Sequence, residues 1–255
     1  MAPPANAAVI GIGELGSVFA RGLLRSGVVV HPVTRGQPIC ETLHATTELR
    51  LVLVAVGEAE LRGVLAEIPG ELRHLVALVQ NELVPADWQQ AGYTEVSGVV
   101  VWFEKKPGRE VHQVLPSLAY GPKAHLLLEA MRSLAISATA LAPENLACEL
   151  ALKNLYILVH NLAGLVYPET VAALWQRYPD FMRSLTLDVL RHQEARLGRA
   201  LDRERLVEQL RAAVRADPEH GAAGRTATAR LVRVRQQARQ LGLELPMLEQ
   251  IGVAR

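Results

Sequence analysis

Ala7–Arg35, AAVIGIGELGSVFARGLLRSGVVVHPVTR, constrains the fold of this chain more than any other stretch. It opens apolar, from Ala7 to Ile10, passes Gly11, Gly13 and Gly16, and continues in a helical pattern. Val28–Val30 is then a β-branched run that ends near Arg35. Strand, glycine turn, helix and strand make a βαβ unit, and each glycine has its own physical task. Gly11 permits the tight turn, Gly13 lets the backbone approach a pyrophosphate, and Gly16 lets the helix pack closely on the strand. The N–H groups and positive end of the helix, whose first turn holds Glu14 and Leu15, then face the phosphates. Gly11, Gly13, Glu14, Leu15 and Gly16 are therefore the predicted cofactor-binding turn, against the plainer reading of an ordinary strand–helix turn.

The second strand ends Val33-Thr34-Arg35-Gly36. A site selective for NAD places an acidic residue there to hold the ribose 2′-OH. Here no Asp or Glu occurs between Glu14 and Glu41, and Arg35 stands at the strand end. A guanidinium can pair bidentately with a 2′-phosphate, so the expected cofactor is NADP. The alternative is a surface arginine following a strand.

Further on, Gln37–Arg50 is short for a helix plus a strand, which suggests that the usual third strand is trimmed. Leu51–Val56 reads as a strand buried on both faces, Glu58–Ile68 as a helix and His74–Val79 as the next strand. That strand delivers Gln80-Asn81 at its carboxyl end, where ligands of open α/β sheets bind. Asn81 could bond a nicotinamide amide or a substrate oxygen, or simply its own backbone. Val96–Phe103 and Val111–Leu118 read as an antiparallel hairpin appended to a parallel sheet. Pro122–Leu134 is a predicted helix and Ile136–Leu141 a last short strand. From Pro143 onward the pattern is all helical: Pro143–Val166, Pro168–Tyr178, Asp180–Leu197, Arg203–Ala216 (with Asp202 as N-cap) and Arg225–Leu241. The predicted fold is α/β, with a Rossmann-type dinucleotide-binding domain over 1–142 and an all-α substrate or dimerisation domain over 143–255.

Composition excludes several classes. The net charge is +1 and 21% of residues are charged, so neither a nucleic-acid surface nor disorder is expected. No apolar run is long enough to span a bilayer, so no membrane segment is predicted. The N-terminus, MAPPANA, has no basic n-region, so no signal peptide is read. Cys40 and Cys148 lack metal-ligand spacing, no metal site is predicted, and a reduced, cytoplasmic compartment fits them. The helical half has apolar faces enough for a homodimer, and such stripes equally form core.

One helix carries the candidate chemistry. In Pro143–Val166 the polar residues are few: Glu149, Lys153, Asn154, His160 and Asn161 among them. Lys153 and Asn161 lie eight residues apart, hence on one face. The bland reading of Lys153 is an i,i+4 ion pair with Glu149. The chain, however, has only four Lys against 23 Arg, so it uses Arg where any cation serves. Arg cannot give up a proton near neutrality, whereas a buried Lys can. Lys153 is the candidate proton donor. His160 points away from Asn161 and is assigned no role.

The motifs GIGELGSVFA at Gly11–Ala20, VTRG at Val33–Gly36, VQN at Val79–Asn81, and the helix with Lys153 and Asn161 follow one another in a familiar order. In these the chain resembles ketopantoate reductases (2-dehydropantoate 2-reductases), NADPH-dependent members of the 6-phosphogluconate-dehydrogenase-like superfamily. The resemblance implies a reductase of a small 2-oxo acid. It makes Lys153 the catalytic proton donor, Asn161 and Asn81 substrate-binding residues, Asn81 a nicotinamide contact as well, and Arg35 the 2′-phosphate ligand.

The chain departs from the family pattern at several positions. Glu82 follows Asn81 where the family has Gly, Gly57 stands where it has a lysine after the fourth strand, and Ile157 where it has a second asparagine. No acid occurs between Glu219 and Glu244, so Thr226 or Thr228 occupies the place of the family's late acidic group. Cofactor features are thus better kept than substrate features. Two other readings follow: a catalytically silent NADP-binding regulatory or partner-binding protein, and a β-hydroxyacid-dehydrogenase-like or imine-reducing enzyme.

Overall fold

The computed structural model describes residues 5–252, so part of the N-terminal stretch read above lies outside the described residues. The chain divides into two compact units, one ending at Leu146 and the other beginning at Ala147.

The first unit opens with strand β1 (Asn6–Ile10), helix α1 (Glu14–Arg25), β2 (Val29–Val33), α2 (Ile39–Ala45), β3 (Leu49–Val54) and α3 (Leu61–Glu67). A 3-10 turn, Gly70–Leu75, leads to β4 (Val76–Leu78), followed by α4 (Pro85–Gln89), β5 (Ser97–Val100), β6 (Phe103–Glu104), β7 (His112–Gln113), β8 (Ser117–Tyr120), α5 (Ala124–Ser133) and β9 (Ala138–Ala140). The main sheet runs β2-β1-β3-β4-β5-β8-β9. From β2 to β5 every pairing is parallel, β8 is antiparallel to β5, and β9 is parallel to β8. This is the Rossmann-type arrangement, with its apolar runs at the sheet centre: Ala7–Val9 and Leu51–Val54 are wholly buried. Pro32 is tolerated because β2 is an edge strand, and His31 Nε2 meets Asn6 Oδ1 across it at 2.8 Å.

Three expectations change. The strand expected over Leu51–Val56 runs instead from Leu49 to Val54, and the segment before it holds only the seven-residue helix α2. The strand expected over His74–Val79 contracts to β4, since the 3-10 turn takes up its first residues. The run Val96–Phe103 is not one strand. Trp102 leaves the ladder: its N–H donates to Ser117 Oγ at 2.9 Å and its carbonyl accepts from Val114 N at 2.9 Å. Beyond it β6 pairs with β7 in a separate two-stranded sheet.

In the second unit a 3-10 turn at Pro143–Asn145 precedes α6 (Leu146–Val166), followed by α7 (Val171–Arg177), α8 (Pro179–Leu197), α9 (Arg203–Ala216), α10 (Ala227–Gln240) and α11 (Pro246–Gln250). The 21-residue α6 is buried almost all round between Leu150 and Gly164, as an uninterrupted apolar helix should be. Asp202 caps α9 by accepting from Arg205 N at 3.1 Å, as expected. Sequence periodicity missed α11, which is too short to show a period. Its first turn is fixed from α8, where Asp188 Oδ2 accepts from Met247 N at 2.8 Å. Among the described residues no helix is long and apolar enough to cross a membrane, and no cluster of His, Cys, Asp or Glu could hold a metal ion.

Candidate functional site

The glycine turn between β1 and α1 opens a pocket of about 500 Å³ whose walls include Gly11, Gly13, Val33–Gly36, Val56 and Glu60. Gly11 has φ +90°, which a side chain resists. A Cβ on Gly16 would lie 1.9 Å from the Gly11 carbonyl oxygen and 3.3 Å from Ala55 Cβ. A Cβ on Gly13 would meet nothing within 4 Å, so the pocket stands open there. Gly13 is also the N-cap of α1 and supplies no side-chain cap. The cradle thus fits a pyrophosphate laid against backbone at a helix N-terminus. Glu14 and Leu15 are half-buried in the first turn of α1.

Arg35 stands at the rim with its side chain 92% exposed, and Nη2 reaches Glu60 Oε1 at 3.1 Å. Glu60 also accepts from Gly57 N at 3.3 Å, which ties it to the loop after β3. Sequence reasoning missed Glu60, whose distance of 25 residues from Arg35 gives no local signal. Gln37, also missed, accepts from Thr34 N at 2.6 Å and shapes the turn that carries Arg35.

Beyond β4, Gln80 and Asn81 behave differently. The Gln80 amide is buried and bridges the ends of two strands, donating to the carbonyls of Val54 at 2.8 Å and Val56 at 3.1 Å. Asn81 is half-buried and has no hydrogen-bond partner among the described residues, so it does not cap its own turn. Glu82 is buried at φ +65°, a conformation that costs a side chain about 1–2 kcal/mol and suits glycine better.

The helix α6 carries Lys153 and Asn161. Lys153 lies half-buried with Nζ 5.7 Å from the centre of the Tyr156 ring. Burial, and after it the nearby positive charge of Arg230, pushes its pKa down to about 7. The ion pair with Glu149 does not form. Burial raises the Glu149 carboxyl, and the cation that opposes this is Arg205 on α9. Asn161 is buried and doubly engaged: Oδ1 accepts from Arg230 Nη1 at 2.6 Å, and Nδ2 donates to the Ala222 carbonyl at 3.0 Å. Arg230 was not among the expected residues. Its signal was present, since it falls on the apolar stripe of α10 formed by Ala227, Leu231, Val234 and Ala238. Thr226 is the N-cap of α10 and Thr228 lies in its first turn. His160 is a satisfied core group. Its Nδ1–H donates to the Tyr156 carbonyl at 2.8 Å, and Nε2 accepts from Trp175 Nε1 at 3.0 Å, with burial holding its pKa down to about 4.

A Rossmann-type unit with a dinucleotide cradle, followed by a helical unit built around one long apolar helix, defines the fold class. The particular relatives are found by structure. The chain matches no protein-family model and no curated protein. Among solved structures it is similar to a 2-dehydropantoate 2-reductase from Methylococcus capsulatus, at 16% identity and TM-score 0.67, over 96% of this chain and 94% of that one. A probable 2-dehydropantoate 2-reductase from Bacillus subtilis matches at 15% identity and TM-score 0.69, over 96% and 97% of the two chains. A D-mandelate dehydrogenase with NADH matches at 13% identity and TM-score 0.67, over 96% of each chain. The chain therefore has the ketopantoate reductase fold along nearly its whole length, in keeping with the motifs read from its sequence.

Proposed function

We propose that the chain is an NADP-dependent reductase of small 2-oxo acids. The observation that carries the reading is Lys153: a lysine on an apolar helix, whose proton burial makes exchangeable near neutrality. The fold it shares with ketopantoate reductases and a D-mandelate dehydrogenase supports the substrate class.

A bound nicotinamide dinucleotide supplies the hydride in such a reaction. Gly11, Gly13, Glu14, Leu15 and Gly16 would hold its pyrophosphate, and Arg35 its 2′-phosphate once the guanidinium turns from Glu60. Once the carbonyl carbon of the oxo acid had gained a hydride with its electron pair, negative charge would collect on the carbonyl oxygen. Lys153 Nζ stabilises that charge and delivers the proton that makes the hydroxyl, leaving a neutral amine that water reprotonates. Asn81, with its amide uncommitted, would orient the nicotinamide amide or the substrate. The net change is oxo acid, NADPH and a proton to hydroxy acid and NADP.

Single-turnover oxidation of bound NADPH by a panel of 2-oxo acids tests this. At least one acid should oxidise it, and Lys153→Ala should slow that step by about 10²–10⁴-fold. Tight NADPH binding with no oxidation by any acid would leave a silent dinucleotide-binding protein instead.

A further inference from the structure

Helix α9 carries its charges in an order that a single copy does not use. Glu204, Glu208, Arg211 and Arg215 are exposed and, at the helical repeat, fall within an arc of about 60° opposite the buried Leu206, Leu210 and Ala213. Glu204 and Glu208 are one turn apart, and so are Arg211 and Arg215, so each like-charged pair repels along the helix. Neighbouring Arg203 is committed, its Nε donating to Glu194 on α8 at 3.0 Å. The other four side chains make no ion pair or hydrogen bond among the described residues. Arg211 lies over the Trp175 ring, 5.5 Å from its centre, which leaves its charge uncancelled. The helix dipole accounts for Glu204 in the first turn and Arg215 in the last. It does not account for Glu208 and Arg211, which stand mid-helix, beyond the reach of either end. All four border one groove of about 610 Å³ between α8 and α9, with Leu187 and Val207 among its apolar walls. Leu187 is 44% exposed there.

The order is self-complementary. Glu208 and Arg211 stand symmetrically about the point midway between Gln209 and Leu210, and Glu204 and Arg215 stand symmetrically about the same point. A second α9, turned end for end by a two-fold axis through that point, sets Glu204 of one copy opposite Arg215 of the other and Glu208 opposite Arg211, each pair twice. A two-fold interface requires this relation, since a residue i that faces j must be faced in turn by i from the other copy. A parallel second copy in register would set acid against acid, and a partner of uniform charge would repel half of the stripe. We propose that the groove between α8 and α9 docks a second copy of this chain, with two antiparallel α9 helices joined by these four ion pairs and with Leu187 and Val207 covered at their flanks. Ion pairs at a surface are individually weak and screened by salt, so the dimer is salt-sensitive. The assignment is independent of the activity proposed above.

Sedimentation equilibrium of the full chain over a concentration series tests it. The unaltered chain should dimerise with a Kd below about 0.1 mM, and raising salt from about 0.05 to about 0.5 M should weaken association by about ten-fold. Glu204→Arg with Glu208→Arg makes the stripe wholly basic, and Arg211→Glu with Arg215→Glu makes it wholly acidic. Each double variant should self-associate about ten-fold or more weakly. An equimolar mixture of the two should recover the dimer, and so should a variant carrying all four exchanges, because it keeps the symmetric order. If a double variant does not fold, Glu208→Arg alone should weaken association and Glu208→Arg with Arg211→Glu should restore it. A monomeric unaltered chain, a dimer indifferent to both charge reversals, or a mixture that associates no better than its components would overturn the assignment.

Discussion

The Gly16 Cα and the Gly11 carbonyl oxygen are so close that a Cβ on Gly16 would sit 1.9 Å from that oxygen. Backbone meets backbone there, and no side chain can swing aside. Gly16→Ala should therefore lower stability by about 1–3 kcal/mol and weaken dinucleotide binding together. Gly13 is the contrast, because its Cβ direction is open. Gly13→Val should leave the melting temperature nearly unchanged and still reduce NADPH affinity, by filling the space the phosphates need. Thermal melts and fluorescence titrations of the two variants check both outcomes.

The ion pair between Arg35 and Glu60 is exposed, so it contributes about 0–1 kcal/mol. A 2′-phosphate would have to draw Arg35 from it. Glu60→Gln should tighten NADPH by a few-fold and leave NADH nearly unaffected. Arg35→Ala should weaken NADPH by about ten-fold or more, again sparing NADH. Equal effects on the two cofactors in Arg35→Ala would remove the argument for NADP.

Lys153 makes stability depend on pH with a definite sign. Its folded pKa is lowered to about 7 from an ordinary value of 10.5. Below pH 7 it is charged in both states and burial penalises the fold. Between pH 7 and 10.5 the folded state sheds the proton first, so the penalty fades as pH rises. Lys153→Met should be more stable than the unaltered chain at pH 6, with the gap closing toward pH 10. Chemical denaturation at both pH values checks this. The reduction rate should fall as pH rises through about 7, where the donor loses its proton.

Ala135 sits at φ +57° just after α5. That left-handed position costs a Cβ about 1–2 kcal/mol, part of which the greater chain entropy of glycine offsets. Ala135→Gly should raise stability by about 0.5–1 kcal/mol, read as a shift in denaturation midpoint.

What was legible in the sequence was what neighbouring residues determine. The glycine turn, the buried strands β1 and β3, the cap Asp202 and the span of α9 all follow from local periodicity and chain geometry. Where partners come from afar, local reading fails. Trp102 leaves its strand because Ser117, Val114 and Leu115 take up its backbone groups. Glu149 stands four residues before Lys153 in good order for an ion pair, yet it faces the charge of Arg205. Glu60 meets Arg35 from the far side of β3. A charge on the apolar stripe of α10 was visible at Arg230. That it would grip Asn161, 69 residues earlier, was not.

The central claim is that Lys153 serves a hydride transfer. Its most direct test uses NADPH deuterated at the transferable position of C4 and a 2-oxo acid, with the product examined by mass spectrometry. Deuterium should appear at C2 of the hydroxy acid, and Lys153→Ala should slow its appearance by about 10²–10⁴-fold while NADPH binding is kept. Label that never leaves the tightly bound dinucleotide, or that is transferred equally fast in Lys153→Ala, would contradict it.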